Sequence, residues 1–278
     1  ETTSIPLYVL AGFLLRDKRS AEAGIKYLLF GAMASAVMLY GLSLLYGFTG
    51  TTQLYNLAAS LVTGQVPQKL VYAIIALVLV GFGFKISAVP FHFWAPDVYE
   101  GGPTPVAGFL STASKAAGFA VLLRVLQVAF PDQTAFWTTV IAVLATLSML
   151  VGNYLALAQK SVKRLLAYSS IAQAGYMLIG VAAGKQFGAT GAVYYLMAYL
   201  VTNLAAFGVV AIVEGKVGSD DITAFAGLSR RSPGLALAML VALLSLGGIP
   251  PFAGLFGKLL VFASAVKSNL IWLALVGI

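Results

Sequence analysis

The sequence has little charge. Of its 278 residues only 9% are Asp, Glu, Lys or Arg and 60% are hydrophobic, whereas ordinary soluble domains carry about 25% charged residues. Whole stretches, 135–158 and 235–257 among them, contain none of the four, and each exceeds the ~20 residues a helix needs to cross a bilayer. That scarcity excludes a soluble enzyme, a disordered chain and a coiled coil. The apolar runs are continuous rather than alternating, which argues against a β-barrel. Cysteine is absent, and His92 is the one histidine. Without Cys there is no disulfide framework and no cysteine-ligated iron–sulfur cluster. One His is too few for a haem held by two histidines or a His-rich metal site. No Walker loop is present, and Gly81-Phe82-Gly83 lies in an apolar run without the third glycine of a dinucleotide-binding turn. The net charge of +8 is not accompanied by a basic stretch interleaved with aromatics, so no nucleic-acid partner is expected. What is left is an all-α, polytopic transmembrane helical bundle in a lipid bilayer, with no cofactor of its own.

Apolar runs bounded by charges or Gly/Pro clusters map the crossings to 1–15, 23–46, 70–100, 105–128, 135–158, 165–183, 188–213, 233–266 and 270–278. The first and last are partial, and the sequence reads as a piece of a longer membrane protein cut within a helix at each end. Two segments are interrupted, one by Val89-Pro90-Phe91-His92-Phe93-Trp94-Ala95-Pro96 and the other by Gly247-Gly248-Ile249-Pro250-Pro251. Proline removes a backbone donor and clashes with the preceding turn, so each helix should break there. Broken backbone at membrane depth is tolerated only where it is buried in protein or lines a wet cavity. Basic residues test this map. With each interrupted segment counted as one crossing, nine Lys and Arg fall on one side (Arg16, Lys18, Arg19, Lys160, Lys163, Arg164, Lys216, Arg230, Arg231) and three on the other (Lys69, Lys185, Lys267). The richer side should face the cytoplasm. Paired broken helices point to an inverted-repeat transporter.

Five basic residues remain. Lys26 and Arg124 lie near segment ends and can snorkel. Lys85, Lys115 and Lys258 cannot be placed that way: Lys85 ends the apolar run from Val71, Lys115 sits near the middle of 105–128, and Lys258 follows the second break. A lysine at a helix centre costs about 2.5–3.5 kcal/mol on insertion, so it is retained for a pathway or a partner. Burial lowers a lysine pKa and a nearby carboxylate raises it, so moving the counter-ion can switch the charge. Glu1 is the natural partner of Lys85 if it lies in the membrane; the alternative is an exposed position on the soluble side. His92, which titrates near neutrality, could pass protons between Lys85 and Lys115. Asp97, Glu100, Pro103 and Pro105 are expected to shape the turn.

The run from Phe84-Lys85 through Pro90-Phe91-His92-Phe93-Trp94-Ala95-Pro96-Asp97-Val98-Tyr99-Glu100-Gly101 to Pro105-Val106 resembles the signature of the antiporter-like membrane subunits of respiratory complex I. The Asp97-Val98-Tyr99-Glu100-Gly101 portion resembles the NuoN branch, known as NdhB in photosynthetic organisms. Ala113-Ser114-Lys115, Lys163-Arg164-Leu165-Leu166-Ala167-Tyr168-Ser169-Ser170-Ile171 and Gly248-Ile249-Pro250-Pro251 leading to Gly257-Lys258 support it, in order along the chain. The resemblance implies two inverted five-helix repeats, each with one discontinuous helix: residues 1–130 as the end of the first, residues 131–278 as the second. It implies that Glu1, Lys85, His92, Lys115 and Lys258 carry protons. It also implies that NADH, flavin, iron–sulfur clusters and quinone belong to other subunits, and that the other membrane-arm subunits are the partners. The parent would be an NADH (or ferredoxin):quinone oxidoreductase in a bacterial plasma membrane or a thylakoid-type membrane. The rival is a subunit of a multisubunit sodium/proton antiporter. Gln173 departs from the pattern, since many bacterial relatives carry His there.

Overall fold

The computed structural model describes residues 2–14, 16–64, 66–184 and 186–278; Glu1 and Lys185 of the sequence reading lie outside them. The described residues are helical, with no strand beyond an isolated bridge between Ser161 and Asp221. In chain order the helices are α1 (Ser4–Ala11), α2 (Lys18–Thr49), α3 (Leu54–Val62), α4 (Gln68–Ile86), α5 (Trp94–Gly101), α6 (Thr104–Phe109), α7 (Lys115–Ala129), α8 (Thr134–Ala156) and α9 (Val162–Ala182). They continue as α10 (Gln186–Val217), α11 (Leu228–Arg231), α12 (Pro233–Gly247), α13 (Ala253–Lys267) and α14 (Ile271–Gly277). Six stretches are long and apolar enough to cross a membrane: 18–49, 68–86, 104–129, 131–156, 162–182 and 186–217. Both interrupted segments are broken where the prolines stand, between α4 and α5 and between α12 and α13.

The bundle is built around α9, which packs against α5, α8, α10 and α13. Its apolar window is 83% buried, whereas that of α2 is 22% buried. α9 is therefore the axis and α2 an outer helix. The contact of α8 with α9 depends on small residues: a side chain added at Gly152 would meet the Ala172 backbone nitrogen at 2.6 Å. Without lipid-independent hydrophobic driving force, such close backbone approach is how membrane helices gain packing energy.

Three local features depart from the sequence map. α2 begins at Lys18, ahead of the apolar run, because the Asp17 carboxylate accepts the Arg19 N–H at 2.8 Å and caps the first turn. α3 occupies a stretch expected as loop, burying Leu57 and Leu61 at helical spacing. Between α6 and α7 the chain makes a π turn, Leu110–Ser114, directly ahead of Lys115. Ser111 and Thr112 hydroxyls both donate to the Gly108 carbonyl, at 2.8 and 2.7 Å. Such back-bonding competes with the regular helix ladder and helps open it there.

Candidate functional site

The first break is held from several sides. Ser87 takes a left-handed conformation at φ 58 and ends α4, and its N–H returns to the Phe84 carbonyl at 3.0 Å. The Val89 N–H, which has no helical partner, donates to the Ser148 hydroxyl of α8 at 2.9 Å. The Trp94 indole N–H donates to the Phe84 carbonyl at 3.0 Å and bridges the two half-helices. Trp94 also stacks on Tyr27 at 4.5 Å, within a ring cluster that includes Phe84 and Tyr99. Ser87, Ala88 and Val89 are all buried.

The second break is closed differently. Gly248, at φ 79, ends α12, and the Gly254 N–H donates to the Ser245 hydroxyl at 3.3 Å. Gln173 of α9 donates its amide to the Leu246 carbonyl at 2.9 Å and accepts from the Tyr195 hydroxyl. Lys258 donates to the Gly247 carbonyl at 3.1 Å, and its ammonium stands 4.5 Å from the Tyr176 ring centre.

The lysines occupy three distinct settings. Lys85 lies in the last turn of α4, where the carbonyl ends of a helix favour a cation. Its ammonium donates to the Ser4 hydroxyl at 3.3 Å, in a cavity of about 250 Å³ shared with Ser35, Met38 and Gly118. Lys115 is 1% exposed. It donates to the Ser170 hydroxyl at 2.6 Å and to the Ser170 carbonyl at 3.1 Å. Among the described residues no carboxylate pairs with it. Lys258 is half-buried at the second break. His92 is buried within the first break, with its ring against Phe93 at 4.5 Å, and it lies within electrostatic reach of Lys115. Among the described residues its Nδ1 has no hydrogen-bond partner.

Sequence reasoning singled out the lysines but not what joins them. Ser170, Gln173 and Tyr176 recur every third residue on α9, so a polar stripe runs along the central helix. Ser170 meets Lys115, Gln173 meets the second break and Tyr176 meets Lys258. The buried hydroxyls of Tyr99 and Tyr199 sit beside Ser170, without reaching hydrogen-bond geometry. Together these side chains place Lys115 and Lys258 along one polar line. Serines and tyrosines carry no formal charge, so a search for charges passes over them; Gln173 stood out only as a departure from the family pattern.

A second charged group was also missed. Arg164 donates to Asp97 at 2.6 Å and to Glu100 at 2.8 Å, and Lys26 donates to Asp97 at 2.5 Å. Lys26, expected to snorkel, thus pairs with α5, and Asp97 and Glu100 tie the outer end of the first broken helix to α2 and α9. The signal available in sequence was the pair of carboxylates three residues apart in Asp97-Val98-Tyr99-Glu100.

A membrane bundle with two interrupted helices, and polar side chains between them, defines a class of helical membrane proteins with broken spans. Comparison with known proteins narrows the class. Residues 1–278 match the family described as NADH:quinone oxidoreductase/Mrp antiporter, TM, and the chain belongs to it. It is 52% identical over 278 residues to NADH-quinone oxidoreductase subunit N of Heliobacterium modesticaldum, covering all of this chain and 58% of that protein. A chain of respiratory complex I from Thermus thermophilus with bound aureothin is 44% identical at a TM-score of 0.82, with 99% of this chain and 59% of that one covered. A chain of the Mrp complex from Dietzia sp. DQ12-45-1b is 28% identical at a TM-score of 0.87, covering 94% and 48%. The chain therefore spans about half the length of the proteins it matches.

Proposed function

We propose that this chain is part of a subunit N-type, antiporter-like membrane subunit of an NADH (or ferredoxin):quinone oxidoreductase, and that it moves protons across the membrane. Lys115 carries the reading. A fully buried ammonium that meets the Ser170 hydroxyl, and no carboxylate among the described residues, is costly to keep in a membrane span and is retained for a pathway. Such a group can take up and release a proton when its surroundings change. Glu1, Lys85, His92, Lys115 and Lys258 are the relay residues in this proposal. Protons pass from Lys85 through His92 to Lys115, then along the Ser170–Gln173–Tyr176 stripe to Lys258.

Both lysines at the breaks lie at the carbonyl end of a half-helix: Lys85 in the last turn of α4, Lys258 on the Gly247 carbonyl. The carbonyl end of a half-helix adds to the stabilisation of a cation there. The division into two inverted repeats, residues 1–130 and 131–278, gives each one broken helix. In this reading the redox work, with NADH, flavin, iron–sulfur clusters and quinone, belongs to other subunits, and neighbouring membrane-arm subunits are the partners. Electron transfer there shifts the Glu1–Lys85 pair and starts the relay. The membrane is a bacterial plasma membrane or a thylakoid-type one.

The likeness to a chain of an Mrp complex favours one rival, a cation/proton antiporter subunit without electron transfer. Identity of 52% to subunit N against 28% to the Mrp chain supports the first reading. Co-purification of the full-length protein with quinone-reductase subunits distinguishes the two. Lys85→Ala tests the relay itself. The complex assembles, and the protons pumped per quinone reduced fall. Undiminished stoichiometry in the assembled variant would sink the assignment.

A further inference from the structure

On the face that carries Arg19 and Lys163 an open cavity of about 410 Å³ lies between the α5–α6 turn, the start of α9 and the end of α10. Its floor is polar. Thr104 donates to one oxygen of Glu214, and the buried Lys163 donates to the other at 2.8 Å. Below this floor α6 and the π turn run against α10 toward Lys115. Glu214, Val210, Phe207, Asn203 and Tyr199 recur at three- and four-residue spacing and so share one face of α10.

Asn203 donates to the Ser111 hydroxyl at 2.7 Å, and the two side chains are 1% and 0% exposed. The π turn does not need this amide, because Ser111 and Thr112 both already serve the Gly108 carbonyl. A buried amide in an apolar helix costs free energy unless it is hydrogen-bonded, and Leu would fill the place at lower cost. One turn deeper the Tyr199 hydroxyl stands beside Ser170, which holds Lys115. Between the cavity floor and Asn203 the same face of α10 offers apolar side chains, Ala206, Phe207 and Val210, all buried. Phe207 lies on Gly108, where an added Cβ would come within 3.2 Å of the Phe207 Cβ. The bare glycine lets α6 approach the Phe207 side chain closely, and the ring lies edge-on to Tyr99 at 6.0 Å. From Thr104 to Ser111 the helical rise of 1.5 Å per residue gives a span of roughly 10 Å, a few water molecules long.

We infer that the α6–α10 seam is the route by which protons pass between the Glu214 cavity and Lys115, with Asn203–Ser111 as an intermediate station and Phe207 as the plug above it. The inference rests on the proton-relay reading. The nine-to-three bias in basic residues makes the cavity the cytoplasmic mouth. Asn203 supplies an amide oxygen that accepts and Ser111 a hydroxyl that both donates and accepts, so the pair can orient a water chain without itself changing charge.

The test uses the intact complex in sealed proteoliposomes. With an imposed pH gradient and no electron donor, Phe207→Ala raises passive proton leak several-fold, and adding Asn203→Leu restores the unsubstituted rate. With electron donor and quinone, Asn203→Leu alone assembles and lowers the protons pumped per quinone reduced. Should Phe207→Ala fail to assemble, the Asn203→Leu pumping measurement decides. Undiminished pumping in Asn203→Leu overturns the route. If Lys85→Ala then still abolishes pumping, the relay reading stands without this entrance; if Lys85→Ala also pumps normally, both fall.

Discussion

The two broken helices solve one problem in different ways. In the first, the free backbone groups are satisfied by other elements: Ser148 takes the Val89 N–H, and Trp94 caps the Phe84 carbonyl. Lys85 is left out of that closure and points to its own cavity. In the second, the lysine takes part in the closure, because Lys258 donates to the Gly247 carbonyl. Both breaks have an open side, with Phe93 61% exposed at the first and Ile249 48% exposed at the second, but Ser87, Ala88 and Val89 at the first are buried. A break closed by neighbours is a fixed element, and its lysine can change charge without disturbing it. A break closed by its own lysine couples charge to shape. In the proton-relay reading, a change of charge at Lys258 therefore alters the closure of its break, whereas the Ser148 and Trp94 contacts of the first break do not involve Lys85.

Two substitutions probe the contrast. The larger effect is expected at the second break. A Cβ at Gly254 would lie 1.8 Å from the Ser245 carbonyl oxygen, a backbone atom that cannot turn aside. Gly254→Ala therefore forces α12 and α13 apart, at about 3 kcal/mol, the upper part of the range for overpacking. A correspondingly lower midpoint in thermal denaturation of the solubilised complex reports it. An unchanged midpoint would show that the second break is slacker than described. At the first break, Ser148→Ala removes the partner of a buried N–H, which costs about 1–3 kcal/mol. The same denaturation measurement reads it, and Ser148→Thr, which keeps the hydroxyl, should lose less. Equal losses for Ala and Thr would mean that packing rather than the hydrogen bond holds Val89.

Much of this was legible in the sequence. Continuous apolar runs gave the crossings, since a bilayer needs length and little else. Prolines at 90, 250 and 251 gave both breaks, because a missing donor and a steric clash act locally. Lys115 stood out because a charge in mid-membrane is costly anywhere. What the sequence could not reveal was partnership between distant positions. Ser170 and Ser148 look like ordinary helix serines until α9 and α8 are packed beside the broken helix. Asn203 is the one asparagine in the apolar run 188–213 and could have been noticed, but its partner Ser111 lies ninety-two residues away. The π turn ahead of Lys115 was hidden for a related reason. Two hydroxyls competing for the Gly108 carbonyl change the ladder without altering the apolar pattern. Lys26 pairs with Glu22 one turn away, which its spacing allowed, and with Asp97, seventy-one residues on, which it did not reveal.

The account depends most on Lys115 as the point where the polar line from the first break meets the stripe on α9. The decisive measurement is the number of protons pumped per quinone reduced by the assembled complex carrying Lys115→Ala. The account predicts a clear fall, because without that ammonium neither half of the line reaches the other. Pumping at the unsubstituted stoichiometry, in a complex shown to contain the variant chain, would contradict it.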